Sequence, residues 1–144
     1  MDTPAILGPA AVLVLWSLIV LLWMVITRFK AFSDAGITLS NAPVGSRYAD
    51  VEADMPTKVN WVSHNYSHLM EQPTVFYAVI AILAIGGDNT DISLGLAWAY
   101  TGLRILHSVW QITSNVISVR VTLFTLSTLC VLGSAIRAVM LTVL

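Results

Sequence analysis

The chain has 144 residues, of which 57% are hydrophobic and only 10% are charged, and its formal net charge is −1. Soluble domains carry about 25% charged residues, and a chain of this length has too little interior to bury so much apolar surface. The composition therefore predicts a single integral membrane domain over residues 1–144. The near-neutral charge also argues against a nucleic-acid partner, which would require a basic patch.

The first apolar segment predicts a membrane-spanning helix over about 9–29. The residues before it, 1–4, include Asp2 but no Lys or Arg, and the apolar stretch is too long for the core of a signal peptide. The next segment contains glycines, prolines and half of the acidic residues of the chain. We therefore expect 33–56 to form a loop outside the hydrocarbon.

Three further helices are expected at about 57–85, 92–114 and 118–144, which gives an all-α bundle of four transmembrane helices. Lysine and arginine are concentrated around the long loop and near the last connection, whereas the turn at 86–91 carries only acids. Because cytoplasmic loops are enriched in these two residues, both termini are predicted on the non-cytoplasmic side. The cations that set this orientation are Arg28, Lys30, Arg47, Lys58 and Arg120.

Polar residues recur along one side of the second and third helices. At about 100° per residue they form one stripe on each helix, and such residues usually face a bundle interior or a cavity. The second helix carries Asn60, His64, His68 and Glu71, and the third carries Tyr100, Arg104, His107, Gln111 and Asn115.

The hairpin between these helices brings the two stripes into register. Counted from the turn at Asp88, Glu71 lies level with Arg104, which predicts an ion pair inside the membrane. His68 lies level with His107, and His64 with Gln111. With Arg120 and Arg28 at its mouth, the expected cleft is cationic and opens toward the cytoplasm. Guanidinium groups hold carboxylates in pairs of hydrogen bonds, so a small anionic ligand suits the cleft.

Two segments carry a resemblance to a known family. Residues 65–77, NYSHLMEQPTVFY, resemble the second-helix signature of the MAPEG family, the membrane-associated proteins of eicosanoid and glutathione metabolism. Residues 97–108, AWAYTGLRILHS, with Arg120 thirteen residues after His107, resemble its third-helix signature and its fourth-helix arginine. The resemblance extends over the whole chain and is to a bacterial type of member.

The resemblance implies a homotrimer of four-helix bundles that binds glutathione between neighbouring subunits near the cytoplasmic side. In active members an arginine at the start of the fourth helix stabilises the glutathione thiolate, which attacks a lipophilic electrophile or reduces a hydroperoxide. Arg120 matches this catalytic position, and Glu71 matches the glutamate that takes the glutathione amine. The expected cofactor-binding set is Arg28, His64, His68, Glu71, Arg104, His107 and Gln111.

The sequence departs from the family pattern at four positions. His68 stands where an asparagine is usual, and His64 where an arginine is expected. Gln111 and Phe124 stand where tyrosines are common.

Several interpretations of the same residues remain open. Arg120 is either the thiolate-stabilising group or an interfacial anchor, and His107 either contacts a ligand or packs in the core. The pair of Glu71 and Arg104 is structural or contacts the ligand. His64, His68, Glu71 and His107 also have ligand-like spacing for a metal ion, but the family pattern explains them without one.

Two functions are consistent with these residues. The first is a glutathione-dependent membrane transferase or peroxidase that takes a lipophilic substrate from the surrounding membrane lipids. The alternative is a non-catalytic member of the same fold that binds lipid or another small ligand. In either case we expect an integral protein of the bacterial inner membrane.

Overall fold

The computed structural model describes residues 4–38, 40–41 and 43–144, and this part of the chain is helical without a strand. A short 3-10 turn at Glu52–Asp54 lies in the segment between the first two long helices. The α-helices are α1 (Leu7–Asp34), α2 (Tyr48–Val51), α3 (Thr57–Ile85), α4 (Asp91–Thr113) and α5 (Ile117–Val143).

Helix α1 continues to Asp34, past residue 29, where its apolar run was expected to end. No helix-breaking residue occurs in that stretch until Gly36, which has φ 70°. This left-handed conformation lets the amide of Ile37 donate to the carbonyl of Phe32 at 2.9 Å, a bond that closes the helix end. The C-terminal part of α1, beyond the apolar run, therefore includes Lys30 and Asp34.

Three of the four long helices, α1, α3 and α5, are long and apolar enough to cross a membrane. Their outward surfaces carry large apolar side chains, among them Leu15, Ile26 and Leu129, each more than half exposed. Polar groups lie inside the bundle instead, as in Ser108 and Gln111 of α4. This distribution reverses that of a soluble protein and suits a hydrocarbon solvent.

The four long helices pack around one core. Helix α1 packs against α3 and α4, and α5 packs against α4 and α3, with the α4–α5 contact the most extensive. Phe76 of α3 stacks on Tyr100 of α4 with ring centroids 4.2 Å apart. These contacts fix the relative depth of α3, α4 and α5, which together form the candidate site.

Candidate functional site

A cavity of about 330 Å³ lies where α3, α4 and α5 meet. Its lining residues are His68, His107, Ile117, Arg120, Val121 and Phe124. The rings of His68 and His107 meet edge to face with centroids 5.3 Å apart, so the predicted match in depth between these two histidines is confirmed. Phe124 stacks on the ring of His68 at 5.5 Å and forms an apolar wall.

Arg120 reaches the cavity from the first turn of α5. Its Nη1 donates to the side-chain oxygen of Asn115 at 2.8 Å, while its Nε is buried without a hydrogen-bond partner among the described residues. Asn115 has φ 54° and lies just beyond α4, where its amide donates to the carbonyl of Trp110 at 2.8 Å. Asparagine tolerates this left-handed conformation better than most residues, so it ends α4 and orients Arg120 at the same time.

Arg104 lies behind the cavity wall in the interior of the bundle. Its side chain is only 1% exposed, and its Nε donates to the hydroxyl of Tyr100 at 3.2 Å. The guanidinium carbon is 5.2 Å from the ring centroid of Phe124. Its Nη2 is buried and has no partner in the described part of the chain. A second positive charge therefore lies close to the cavity without opening into it.

The predicted ion pair between Glu71 and Arg104 does not form among the described residues. Glu71 accepts a hydrogen bond from Nδ1 of His68 at 2.9 Å, and its side chain is 67% exposed. An equal depth in the membrane was not enough to bring Glu71 and Arg104 together, because α3 is rotated so that Asn65, Leu69 and Pro73 face the core. The polar stripe of α3 thus lies along the edge of the bundle, whereas that of α4 is buried.

Three other predicted contacts lie outside the cavity in this single subunit. His64 is exposed and contacts Glu52 of the 3-10 turn. Gln111 is buried in the bundle interior. Arg28 donates from Nε to the hydroxyl of Ser63 at 2.9 Å, and its guanidinium lies 3.7 Å from the ring centroid of Tyr48. Of the expected set, the structure brings together His68, His107 and Arg120, with Glu71 and Arg104 adjacent.

The metal interpretation finds no support in the geometry. Within residues 4–38, 40–41 and 43–144, no group of three or more His, Cys, Asp or Glu side chains is arranged to hold a metal ion. His64 and His68 have separate carboxylate partners, Glu52 and Glu71.

Two apolar lining residues, Ile117 and Val121, were missed in the sequence analysis. Both are largely exposed on the outer surface of α5, next to Arg120. They could have been predicted from their spacing, because positions 117, 120, 121 and 124 lie on one face of a helix. The cavity is therefore cationic on one side and continuous with the apolar outer surface on another.

The fold and the cavity define an all-helical membrane protein with a small cationic site among three helices. The model of the MAPEG family matches residues 6–140, nearly the whole chain, and the protein belongs to this family. Membership supports a membrane function related to glutathione or eicosanoid metabolism. Comparison with curated proteins and with solved structures finds no match.

Proposed function

We propose that this protein is a glutathione-dependent membrane enzyme, a transferase or peroxidase, in which Arg120 stabilises the glutathione thiolate. The observation that carries the proposal is the placement of Arg120, His68 and His107 around one cavity. A nearby guanidinium lowers the pKa of a thiol and so raises the fraction of the reactive thiolate. The buried charge of Arg104, behind Phe124, adds to the same positive potential.

The reaction requires little beyond the thiolate and a lipophilic partner. In conjugation, the sulfur attacks an electrophilic carbon, a carbon–sulfur bond forms, and the displaced group leaves with the bonding electron pair. In peroxide reduction, the sulfur takes the terminal oxygen, an alcohol is released, and a second glutathione yields the disulfide and water. His107, at the cavity wall, is placed to hydrogen-bond to the tripeptide or to the leaving oxygen.

Ile117 and Val121 supply the route for the second substrate. They border the cavity on the outer surface of α5, where acyl chains surround a membrane helix. A lipophilic electrophile or hydroperoxide dissolved in the bilayer would reach Arg120 from this side without crossing water. Glutathione, which is hydrophilic and anionic, would enter from the loop side.

We further propose that α4 is the fourth spanning helix and that both termini are non-cytoplasmic. Helix α4 is 23 residues long, about 34 Å at about 1.5 Å per residue, against about 30 Å of hydrocarbon. Its average hydropathy is lowered by Arg104, His107 and Gln111, but all three are buried inside the bundle. Its outer face carries Trp98 and Leu106 and is compatible with lipid.

We also propose that the protein forms the homotrimer of its family. Glu71 is 67% exposed in the single chain, at a depth where an acidic side chain facing lipid is costly. A neighbouring subunit over this edge of α3, with the amine of glutathione beside Glu71, would remove that exposure. The same arrangement would complete the cavity around His68.

The test is turnover by the purified protein with glutathione and either a standard electrophile or a lipid hydroperoxide. We expect Arg120→Ala to reduce the rate roughly 100-fold or more, the range for losing a charge-stabilising donor. Arg120→Lys should retain part of the rate because it keeps the charge. Lys58→Ala, which removes an exposed cation far from the cavity, is the matched control. Absence of turnover with every substrate, together with unchanged glutathione binding in Arg120→Ala, would refute the proposal.

A second function, a non-catalytic ligand-binding member, is favoured by one specific observation. Phe124 lines the cavity where the family commonly has tyrosine, so no hydroxyl is available there to donate to a thiolate. Thermal unfolding with and without millimolar glutathione separates the two functions, because a ligand that binds the folded state raises its stability. A protein that melts at the same temperature in both conditions would support the non-catalytic function.

A further inference from the structure

A second and larger cavity lies beside Arg28, at the C-terminal end of α1. It has a volume of about 970 Å³ and lies between the last turns of α1 and the segment that follows, as far as α2. The volume is near the upper end of the range for small-molecule sites in proteins. None of its lining residues belongs to the cavity of Arg120. It is therefore a separate site on the subunit.

The walls of this cavity are mainly apolar. Phe29 and Phe32 project from α1, and Ile37 from the turn after it. Tyr48 of α2 closes the far side, with its ring centroid 6.0 Å from that of Phe32. Phe29 is more than half exposed even though it lines the cavity, so its ring is available to contact an occupant. Such walls suit a hydrocarbon chain.

The polar part of the lining is cationic. Arg28 and Arg47 both line the cavity, against a single acid, Asp50. Asp50 is partly engaged already, since it accepts the backbone amide of Arg47 at 2.7 Å and lies 4.0 Å from the guanidinium of Arg47. Arg28 is held in place by Ser63 and Tyr48 through its Nε and its planar face. The side chain of Arg47 is 81% exposed and its contact with Asp50 is long, while the contacts of Arg28 use its Nε and its face, so both guanidinium groups can bind a phosphate oxygen.

The depth of the cavity matches the headgroup layer of a bilayer. Arg28 comes 21 residues after Leu7, the first residue of α1, or about 30 Å along the helix axis, which is the thickness of the hydrocarbon. The apolar residues Phe29 and Phe32 lie at this boundary, beside the two arginines. An occupant at this level has its charge in the headgroup layer and its chain against apolar walls.

We propose that this cavity binds an anionic phospholipid of the surrounding leaflet, with its phosphate held by Arg47 and Arg28 and an acyl chain against Phe29 and Phe32. The combination of an acidic head and a hydrocarbon chain matches both halves of the lining. A free phosphate would leave the apolar half unoccupied, and a zwitterionic lipid would gain less from the excess positive charge. Within one subunit this site shares no lining residue with the cavity of Arg120.

The experiment uses the full-length protein in lipid nanodiscs with a photoactivatable group on the acyl chain of the lipid. Phosphatidylglycerol and phosphatidylcholine carrying the same group are compared, and adducts are mapped by mass spectrometry. The measured quantity is the ratio of adducts on residues 28–51 to adducts on the rest of α1. We expect this ratio to be about tenfold higher for phosphatidylglycerol, because both lipids offer a phosphate but the quaternary ammonium of phosphatidylcholine is repelled by the excess positive charge of the lining.

Arg47→Gln should reduce that ratio to the phosphatidylcholine level. Lys30→Gln, which removes a cation at similar depth that does not line the cavity, should leave it unchanged, because a diffuse attraction acts on all adducts alike. Equal ratios for the two lipids in the unmodified protein would overturn the proposal, whatever the behaviour of the variants. Loss of phosphatidylglycerol adducts on adding inorganic phosphate at constant ionic strength would instead show a phosphate site and also overturn it.

Discussion

At the scale of single residues, Arg104 is the most unusual group in the protein. It is a buried guanidinium in a membrane helix, and its only hydrogen bond within the described residues goes to the neutral hydroxyl of Tyr100. Buried charges are costly unless paired, and replacing them by apolar residues of similar size is often neutral or stabilising. The charge of Arg104 is therefore better explained by the potential it creates beside Phe124 than by stability.

This explanation predicts that Arg104→Met preserves or raises stability, by up to about 1–4 kcal/mol, and, if the proposed function holds, weakens formation of the glutathione thiolate. Thermal unfolding in detergent measures the first effect, and ultraviolet absorbance of bound glutathione against pH measures the second. Arg104→Lys, which keeps a charge, should keep more of the thiolate. A large loss of stability in Arg104→Met would show that Arg104 is instead a structural partner of a group outside the described contacts.

At the scale of helices, one hydroxyl joins three elements. The Oγ of Ser108 on α4 accepts hydrogen bonds from Nε1 of Trp16 on α1 at 2.9 Å and from Nδ2 of Asn65 on α3 at 2.7 Å. Ser108 and Asn65 are fully buried. These two hydrogen bonds fix the depth of α1, α3 and α4 relative to one another. The interior offers no water to replace a lost acceptor.

Ser108→Ala should therefore destabilise the protein by roughly 1–2 kcal/mol, because it leaves two buried donors without an acceptor. Ser67→Ala is the matched control, since Ser67 is exposed and its hydroxyl donates only to a carbonyl of its own helix. Equal unfolding free energies for the two variants in a detergent titration would show that the hydrogen bonds accepted by Ser108 do not stabilise the bundle.

The turn between α3 and α4 is tied to α5 by a second polar cluster. Asp88 accepts hydrogen bonds from Ser93 at 2.6 Å and from the hydroxyl of Thr90 at 2.7 Å, and Nη2 of Arg137 lies 3.3 Å away. Burial by itself would raise the pKa of Asp88, but the hydrogen bonds from Ser93 and Thr90 and the charge of Arg137 outweigh it and lower the pKa to about 2. The carboxylate therefore stays ionised and holds the cluster together.

Because the pKa of Asp88 is lowered in the folded protein, the contribution of Asp88 to stability depends on pH. The stabilisation is complete above the ordinary pKa of 3.8 and is lost as the pH falls from there to about 2. Arg137→Met should raise the pKa of Asp88 and reduce the change in stability over this interval. Arg47→Met breaks an exposed ion pair with Asp50 and should leave this change in stability as it is, because exposed ion pairs contribute little to the free energy of unfolding. Unfolding curves at several acidic pH values would contradict the assignment if both variants followed the unmodified protein.

At the scale of the whole molecule, the proposed topology places the two ends of α4 on opposite sides of the membrane. Single cysteines at Asn89 and at Ser118, in a Cys130→Ala background, should then react with an impermeant thiol reagent from opposite sides. The cytoplasmic position should be 118, since Arg120 lies beside it. Labelling of both positions from one side would show that α4 does not span the membrane.

The proposed homotrimer is a separate prediction. Native mass spectrometry should detect an assembly of three copies of the 15.6 kDa chain.

The sequence determined the features that depend on composition and on local spacing. Hydropathy identified a helical membrane protein, and two short segments with Arg120 identified the MAPEG family. The equal depth of His68 and His107 also followed from counting along a hairpin, because the rise per residue of a helix is constant.

Only the tertiary structure decided which way each polar stripe faces. Periodicity defines an arc on a helix, but the rotation of that helix in the bundle is set by packing against its neighbours. The core contacts of Leu69 and Pro73 turn Glu71 to the edge and away from Arg104. The segment after α1 folds beside Arg28, so that Arg28 lines a different cavity. The apolar wall formed by Ile117 and Val121 likewise appeared only when α5 was placed beside α3 and α4.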